Sequence, residues 1–181
     1  ELGIGMVHQE FMLIPGFTVT ENIKVGRELS RPNLMSRLLG PSLETLDLDA
    51  MARDARRALD AIGLAVREDA LVEGMPVGYL QFIEIAREID KTGVRLLVFD
   101  EPTAVLTEGE AERLLSVMKS LAARGIAIIF ISHRLDEVMA AADSLTVLRG
   151  GELAARRAVE DTSPVEIAGL VVGPPVEKLV E

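Results

Sequence analysis

Two short apolar runs in this chain stop abruptly in polar residues. Leu96-Leu97-Val98-Phe99 leads into Asp100-Glu101-Pro102, and Ile128-Ile129-Phe130-Ile131 leads into Ser132-His133. Runs of this length and composition predict buried strands of a parallel sheet. Between them, Thr107 caps a predicted helix through Arg124, with Leu114, Leu115, Met118 and Leu121 facing inward and Gly125 ending it. The resulting strand–helix–strand unit takes a right-handed crossover. The fold class expected is therefore α/β. In open α/β sheets, ligands bind beyond the carboxyl ends of the strands. Asp100, Glu101 and His133 are thus expected to gather on one edge, over one ligand.

The remaining sequence divides around Lys91. Before it, Ile4–Val7 predicts a strand leading into His8-Gln9. Thr18 to Glu28 predicts a helix capped by Thr18 or Thr20, and Ser30 to Asp47 reads as irregular or partly helical. Asp49 is the expected cap of a helix carrying Met51, Ala55, Leu59 and Ile62, ended by Gly63. Val66 to Glu73 reads as a short helix or turn. After the break at Gly74 to Gly78, a helix to about Asp90 places Tyr79, Ile83, Ala86 and Ile89 on one face. Beyond the βαβ unit, Leu135 to Ala142 predicts a helix. Ser144–Arg149 and Glu152–Val159 flank Gly150-Gly151 as a hairpin, Ser163 caps a last helix through Leu170, and Gly173-Pro174-Pro175 opens a tail.

Bulk properties narrow the class. With 49% hydrophobic and 27% charged residues, the chain can bury a core and is not disordered in composition. A net charge of -10 and the lack of a basic cluster disfavour a nucleic-acid surface. There is no cysteine, so neither disulfides nor thiolate metal sites arise. No apolar run is long enough to span a bilayer as a helix.

The chemistry-bearing residues follow the strand ends. A carboxylate such as Asp100 beside bound phosphates can hold Mg²⁺, usually through water. A second carboxylate, Glu101, can polarise a water for attack on a terminal phosphate. Pro102 stops the strand and fixes the turn. His133 can hydrogen-bond a phosphate and orient the attacking water. Gln9 offers a neutral amide that can ligate Mg²⁺ or its water. Gly78 opens a helix, whose amino end favours an anion and whose missing side chain admits close approach. Each residue also has a plain structural reading: a polar turn, a loop histidine, a surface glutamine, a glycine at a helix start.

In order along the chain, these pieces resemble the ATP-binding-cassette (ABC) ATPases. The Gln-loop matches at Val7-His8-Gln9, the signature region at Met75 to Ile89 and the extended Walker B at Leu96 to Pro102. The D-loop matches at Thr103 to Thr107, and the switch at Ile131-Ser132-His133-Arg134. The wording of Gly5 to Leu13, Thr18 to Ile23, Glu101 to Thr107 and Glu166 to Gly173 resembles the first cassette of the double-cassette ATPases of bacterial sugar and nucleoside importers. The resemblance implies a partial P-loop NTPase core: the Gln-loop strand at 1–10, a helical signature subdomain at 11–92, the core with Walker B and His switch at 93–173, and a linker or tail at 174–181.

It further implies ATP and Mg²⁺ as cofactors, with Gln9 and Asp100 on the Mg²⁺ side, Glu101 as catalytic base and His133 as γ-phosphate switch. Gly78 and Gln81 would reach ATP held by a second cassette, in the same chain or in a dimer. The loop after Gln9 and the helical part would touch transmembrane permease subunits, with a solute-binding protein as indirect partner. The expected location is peripheral, on the cytoplasmic face of a bacterial inner membrane.

Two departures qualify the resemblance. Where the signature reads Leu-Ser-x-Gly-x-x-Gln, this chain has Met75-Pro76-Val77-Gly78-Tyr79-Leu80-Gln81, and Phe82 replaces a usually basic residue. Pro76 offers a phosphate neither a hydroxyl nor an N–H, so the ATP site it serves is expected to be weakened. The chain also has no Gly-x-x-x-x-Gly-Lys-[Ser/Thr]. Roughly 80 or more residues that carry this Walker A loop and an adenine-stacking aromatic in the family are missing ahead of Gln9. On this reading the chain is a fragment that alone neither hydrolyses ATP nor binds it tightly, and it associates through its uncovered sheet. The alternatives are a non-catalytic interaction or assembly module and a non-transport ABC ATPase.

Overall fold

A computed structural model describes residues 2–173; the expected tail at 174–181 lies outside the described residues. Two compact units divide after Ile131. The first contains β1 (Ile4–Val7), α1 (Val19–Lys24), β2 (Ser30–Arg31), α2 (Leu34–Leu39), β3 (Thr45–Leu46), α3 (Leu48–Ala61), α4 (Val77–Ile89), β4 (Leu96–Asp100), α5 (Glu108–Ala123) and β5 (Ala127–Ile131). The second contains α6 (Leu135–Ala141), β6 (Ser144–Arg149), β7 (Glu152–Ala158) and α7 (Pro164–Val172). The expected limits near residues 10 and 92 fall inside the first unit, which holds sheet and helical region together.

The sheet of the first unit runs β1-β4-β5, all parallel, as the βαβ reading requires. Val7 lies opposite Phe99, Phe99 opposite Phe130 and Asp100 opposite Ile131. Opposed residues share a face, so Gly5, Val7, Leu97, Phe99, Ile128 and Phe130 form one side. Helices α4 and α5 pack near β1 and β5, and Val7, Leu97 and Phe99 are almost fully buried. On the other side, Ile4, Met6, Ile129 and Ile131 are exposed, the last two by 53% and 51%. The apolar runs are strands as expected; among the described residues α4 and α5 lie against the face of Val7, Leu97 and Phe99, while the other face is half-buried at Leu96 and Val98 and exposed at Ile129 and Ile131.

Strand β1 is an edge, and α4 supplies what a strand neighbour would. Glu88, 3% exposed, accepts the Met6 N–H at 3.0 Å. Gly5 makes this approach possible, because a Cβ there would sit 2.8 Å from the Glu88 carboxyl and 2.7 Å from Leu97.

The helical region is built on α1, α3 and α4. Val19, Ile23, Met51, Ala55, Leu59, Phe82 and Ile83 fill its interior, each large side chain contributing about 1.5–3 kcal/mol through burial. A buried ion network crosses this core. Lys24 meets Asp54 at 2.8 Å and Asp90 at 3.0 Å, and Arg27 meets Asp90 at 2.8 Å. Arg27 also donates to the carbonyls of Ile23 and Arg87. The Lys24 hydrogen bond holds the Asp54 carboxyl below its usual range.

Several boundaries differ from expectation. Thr18 is the cap of α1, in a reciprocal box with Glu21, and the helix stops at Lys24 because Val25 leaves helical backbone and Gly26 turns at φ +72°. Asp47, not Asp49, caps α3 by accepting the Ala50 N–H at 2.9 Å, so Asp49 falls in the first turn. The irregular stretch holds α2 and the small β2–β3 pair. Of the short helix or turn expected at 66–73, the structure has turns. Helix α4 is buried almost all round, while Tyr79, placed on its inner face by spacing, is 38% exposed.

In the second unit, β6 and β7 form the expected hairpin about Gly150-Gly151, both at positive φ. Helix α7 packs on it through Ile167, against Leu145, Val147 and Ala155, with Leu135, Val138 and Met139 of α6 adding to the cluster.

Asp90→Ala leaves the buried Lys24 with Asp54 alone and Arg27 with only its two carbonyls, and should destabilise the protein by about 2 kcal/mol in urea denaturation. Arg57→Ala, at a side chain 72% exposed, should change stability by less than about 0.5 kcal/mol.

Candidate functional site

The carboxyl edge of the parallel sheet assembles the first part of the site. Asp100 closes β4, and Glu101 extends the ladder by one bond, its N–H donating to the Ile131 carbonyl at 3.0 Å. Gln9 follows the end of β1 by two residues and is exposed; Asp100 and Glu101 are half-buried. Register therefore brings Gln9, Asp100 and Glu101 to one edge.

Glu101 is the one non-glycine at positive φ among the described residues, at +46°. A side chain there costs about 1 kcal/mol or more, and such strain concentrates at functional positions. The turn that follows is tightly bonded, with Ala104 N–H on the Glu101 carbonyl at 3.2 Å and Leu106 N–H on the Thr103 carbonyl at 3.1 Å. Pro102 and Thr103 are buried beneath it.

His133 lies in the second unit. There Ser132 Oγ accepts the Arg134 N–H at 3.0 Å and donates to Glu137 at 3.2 Å, and Arg134 pairs with Glu137 at 2.8 Å. Spacing in sequence named His133, but this local bonding around it was not legible.

The amino end of α4 is unusual. Pro76 is its cap residue and makes no side-chain cap bond. Gly78, in the first turn, is covered by Glu110 of α5, whose carboxyl a Cβ at residue 78 would strike. Glu110 Oε2 accepts from the Thr107 N–H at 2.9 Å and the Thr107 hydroxyl at 2.8 Å, which holds its carboxyl below the usual range. Gln81 is only 2% exposed, and its Nε2 has no hydrogen-bond partner among the described residues. Phe82, in place of a basic residue, is buried under the Arg113 guanidinium, 5.0 Å from the ring centre. Glu110 was readable as the fourth residue of a Thr-x-x-Glu capping box; its contact with Gly78, 32 positions away, was not.

The donors at the edge are a carboxylate and an amide carbonyl, the hard oxygen ligands that suit Mg²⁺. No group of three or more His, Asp or Glu residues forms a metal cage among the described residues. Mg²⁺ needs none, since it keeps several waters and shares phosphate oxygens. A shallow hollow lined by Asp49, Arg53, Arg56, Arg57 and Glu68 lies on α3, apart from this edge.

The parallel sheet and its helices define an ABC ATPase fold. The chain superposes on the ATP-binding cassette MJ0796, solved as a dimer in a post-hydrolysis state bound to ADP and Pi. The TM-score is 0.66 over 86% of this chain and 62% of that one, at 21% identity. For cbiO1 of Clostridium perfringens, part of the ABC transporter complex cbiONQ, the TM-score is 0.70 over 94% and 61%, at 20% identity. No protein-family model matches the chain. Curated relatives are closer in sequence. The ribose import ATP-binding protein RbsA of Chelativorans sp. is 42% identical over 98% of this chain, and the nucleoside import ATP-binding protein NupA of Lactococcus lactis subsp. cremoris is 41% identical over 99%. The chain spans about a third of the length of these relatives, 32% and 33%. Over nearly its whole length, then, the chain is homologous to ABC ATPases of the sugar and nucleoside import type.

Glu101→Gly should leave the chain more stable than Glu101→Ala by about 1 kcal/mol, read from denaturation midpoints, because only glycine tolerates φ +46° without strain. A double-mutant cycle of Gly78→Ala with Glu110→Ala should give a coupling of about 1 kcal/mol, the value of the capping box that a Cβ would dislodge.

Proposed function

We propose that this chain is part of the ATP-hydrolysing subunit of an ABC importer, which couples hydrolysis to uptake of a sugar, a nucleoside or a similar small solute. The observation that carries this reading is 41–42% identity, over nearly the whole chain, with ribose and nucleoside import ATP-binding proteins. The sheet edge supports it, with Gln9, Asp100 and Glu101 at matched strand ends.

In this reading Asp100 and Gln9 hold Mg²⁺, partly through water, and Mg²⁺ bound with ATP supplies neutralisation of phosphate charge. Glu101 is the general base that draws a proton from the attacking water. Its strained backbone fixes where that carboxylate leaves the strand. His133 hydrogen-bonds the γ-phosphate and reports its presence. Gly78 and Gln81 serve ATP held by a second cassette. Since Glu110 covers Gly78 and Gln81 is buried, that role requires the first turn of α5 to shift. The loop after Gln9 and the helical region to Asp90 meet the permease subunits, and a solute-binding protein acts through them. The subunit then sits peripherally on the cytoplasmic face of the membrane. No described helix is long and apolar enough to cross a membrane.

The second reading, a non-catalytic module, is favoured by Pro76, which leaves the start of α4 without a side-chain cap. Activity decides between them. In the full-length transporter, Glu101→Gln should lower ATP hydrolysis about 100-fold or more; an unchanged rate sinks the catalytic reading. Pro76→Ser should raise the rate of the same transporter by restoring a hydroxyl. The 181-residue chain by itself carries no Walker A loop, and its calorimetric titration with Mg-ATP should show no micromolar binding.

A further inference from the structure

Both backbone groups of Met12 are held by neighbouring turns of one helix. The Met12 N–H donates to Glu84 Oε1, and its carbonyl accepts from Arg87 Nη1 at 2.8 Å. Two residues on, Asn22 of α1 treats Ile14 in the same way, accepting its N–H at 2.7 Å and donating to its carbonyl at 3.2 Å. The segment 10–17 belongs to no strand, yet alternate residues have their backbone bonded as if a strand lay alongside. The groups that do this come from inside the fold: Glu84 and Asn22 are each 1% exposed. The side chains they leave outward, Met12 and Ile14, are 59% and 39% exposed.

Glu84 is a costly way to satisfy one amide. Burial pushes its carboxyl up from the usual range, and its Oε2 has no hydrogen-bond partner among the described residues. An apolar side chain would suit this position of α4 better for stability alone. What the acid adds is a fixed loop. Arg87 completes the arrangement: its side chain is 14% exposed and lies 3.8 Å from Glu84 and 3.7 Å from Glu88. Its own carbonyl is bonded by Arg27 at 3.0 Å.

We propose that Glu84 and Arg87 are positioning residues that clamp the loop after Gln9 onto α4, so that the helix opened by Gly78 and this loop move as one piece. The clamp stands on geometry; its use in coupling rests on the ATPase reading above. The segment joins a strand end at the nucleotide edge to the surface proposed to meet the permease. A clamp here carries a shift of α4 to that surface.

Hydrogen–deuterium exchange of the whole chain without nucleotide tests the clamp. Glu84→Ala and Arg87→Ala should each speed exchange across 10–17 about ten-fold or more, with β4 and β5 unchanged. Glu84→Gln keeps the acceptor oxygen and should stay near the parent chain. Parent-like exchange in both alanine variants overturns the clamp, and so does equal acceleration in β4 and β5, which marks general loosening. Arg87→Ala, changed at the edge of the core, keeps the comparison valid if Glu84→Ala fails to fold. A second arm uses the full-length subunit with Mg-ATP. Exchange in 10–17 and 77–89 should slow together in the parent and only in 77–89 in Glu84→Ala; both slowing in the variant overturns the coupling. No response in either segment of the parent counts against the ATPase reading instead, and the nucleotide-free comparison still decides the clamp.

Discussion

The first unit depends on polar side chains buried along α4. Among the described residues, strand β1 has a strand neighbour on one side only, and the loop that follows has none. Their inward amides would be left without partners if the helix beside them were apolar. Glu88 and Glu84 accept two of those amides, at Met6 and Met12, and Arg87 donates to the Met12 carbonyl. An unmade bond in a dry interior costs more than a made one contributes. Each buried acid of α4 is therefore tied to one stretch of backbone 72 or 82 residues away.

That dependence sets the position of Gln9. It lies between Met6 and Met12, both held by α4, so the helix that carries Gly78 near its start also fixes the chain on either side of Gln9. On the neighbouring strand, Asp100 is placed by the ladder and Glu101 by a strained turn whose N–H still bonds to Ile131. The proposed function gives these positions a common purpose, on the strength of the similarity to ribose and nucleoside import ATP-binding proteins. The departures from the usual signature are local. Pro76 makes no side-chain cap bond, and Phe82, where the resemblance leads one to expect a basic residue, is a buried ring packed under Arg113.

Some of this was legible beforehand because it is local. The apolar runs 96–99 and 128–131 named their strands, and Thr107 with Gly125 bracketed α5. Gly150-Gly151 named the hairpin, as αL turns need glycine. Caps were less legible: Asp47 and Asp49 are equally able acceptors by type, and what separates them is the Ala50 N–H on the Asp47 side chain and the Met51 N–H on its carbonyl. Of the helix or turn expected at 66–73, the turn prevails because Arg56 and the backbone of α1 claim carbonyls in and beside this stretch. Arg56 takes those of Leu64 and Val66, and the Val19 and Thr20 amides take those of Ala70 and Glu68. The face assigned to α4 was incomplete, since a helix buried on nearly all sides has no single inner stripe to read.

By itself, the sequence determined the α/β class, the parallel order of the Walker B-like strand and its successor, and the residue types able to meet a nucleotide at their ends. These follow from short-range patterning and from the rule that ligands lie at the carboxyl ends of parallel strands. Only the tertiary structure decided that Glu101 sits at positive φ, that Glu110 covers Gly78, that Gln81 is buried, and that Glu84 and Arg87 hold Met12. The reason is physical. A glutamate on a helix has the same local propensity whether it meets water or a distant amide, and packing between segments far apart in the chain chooses which.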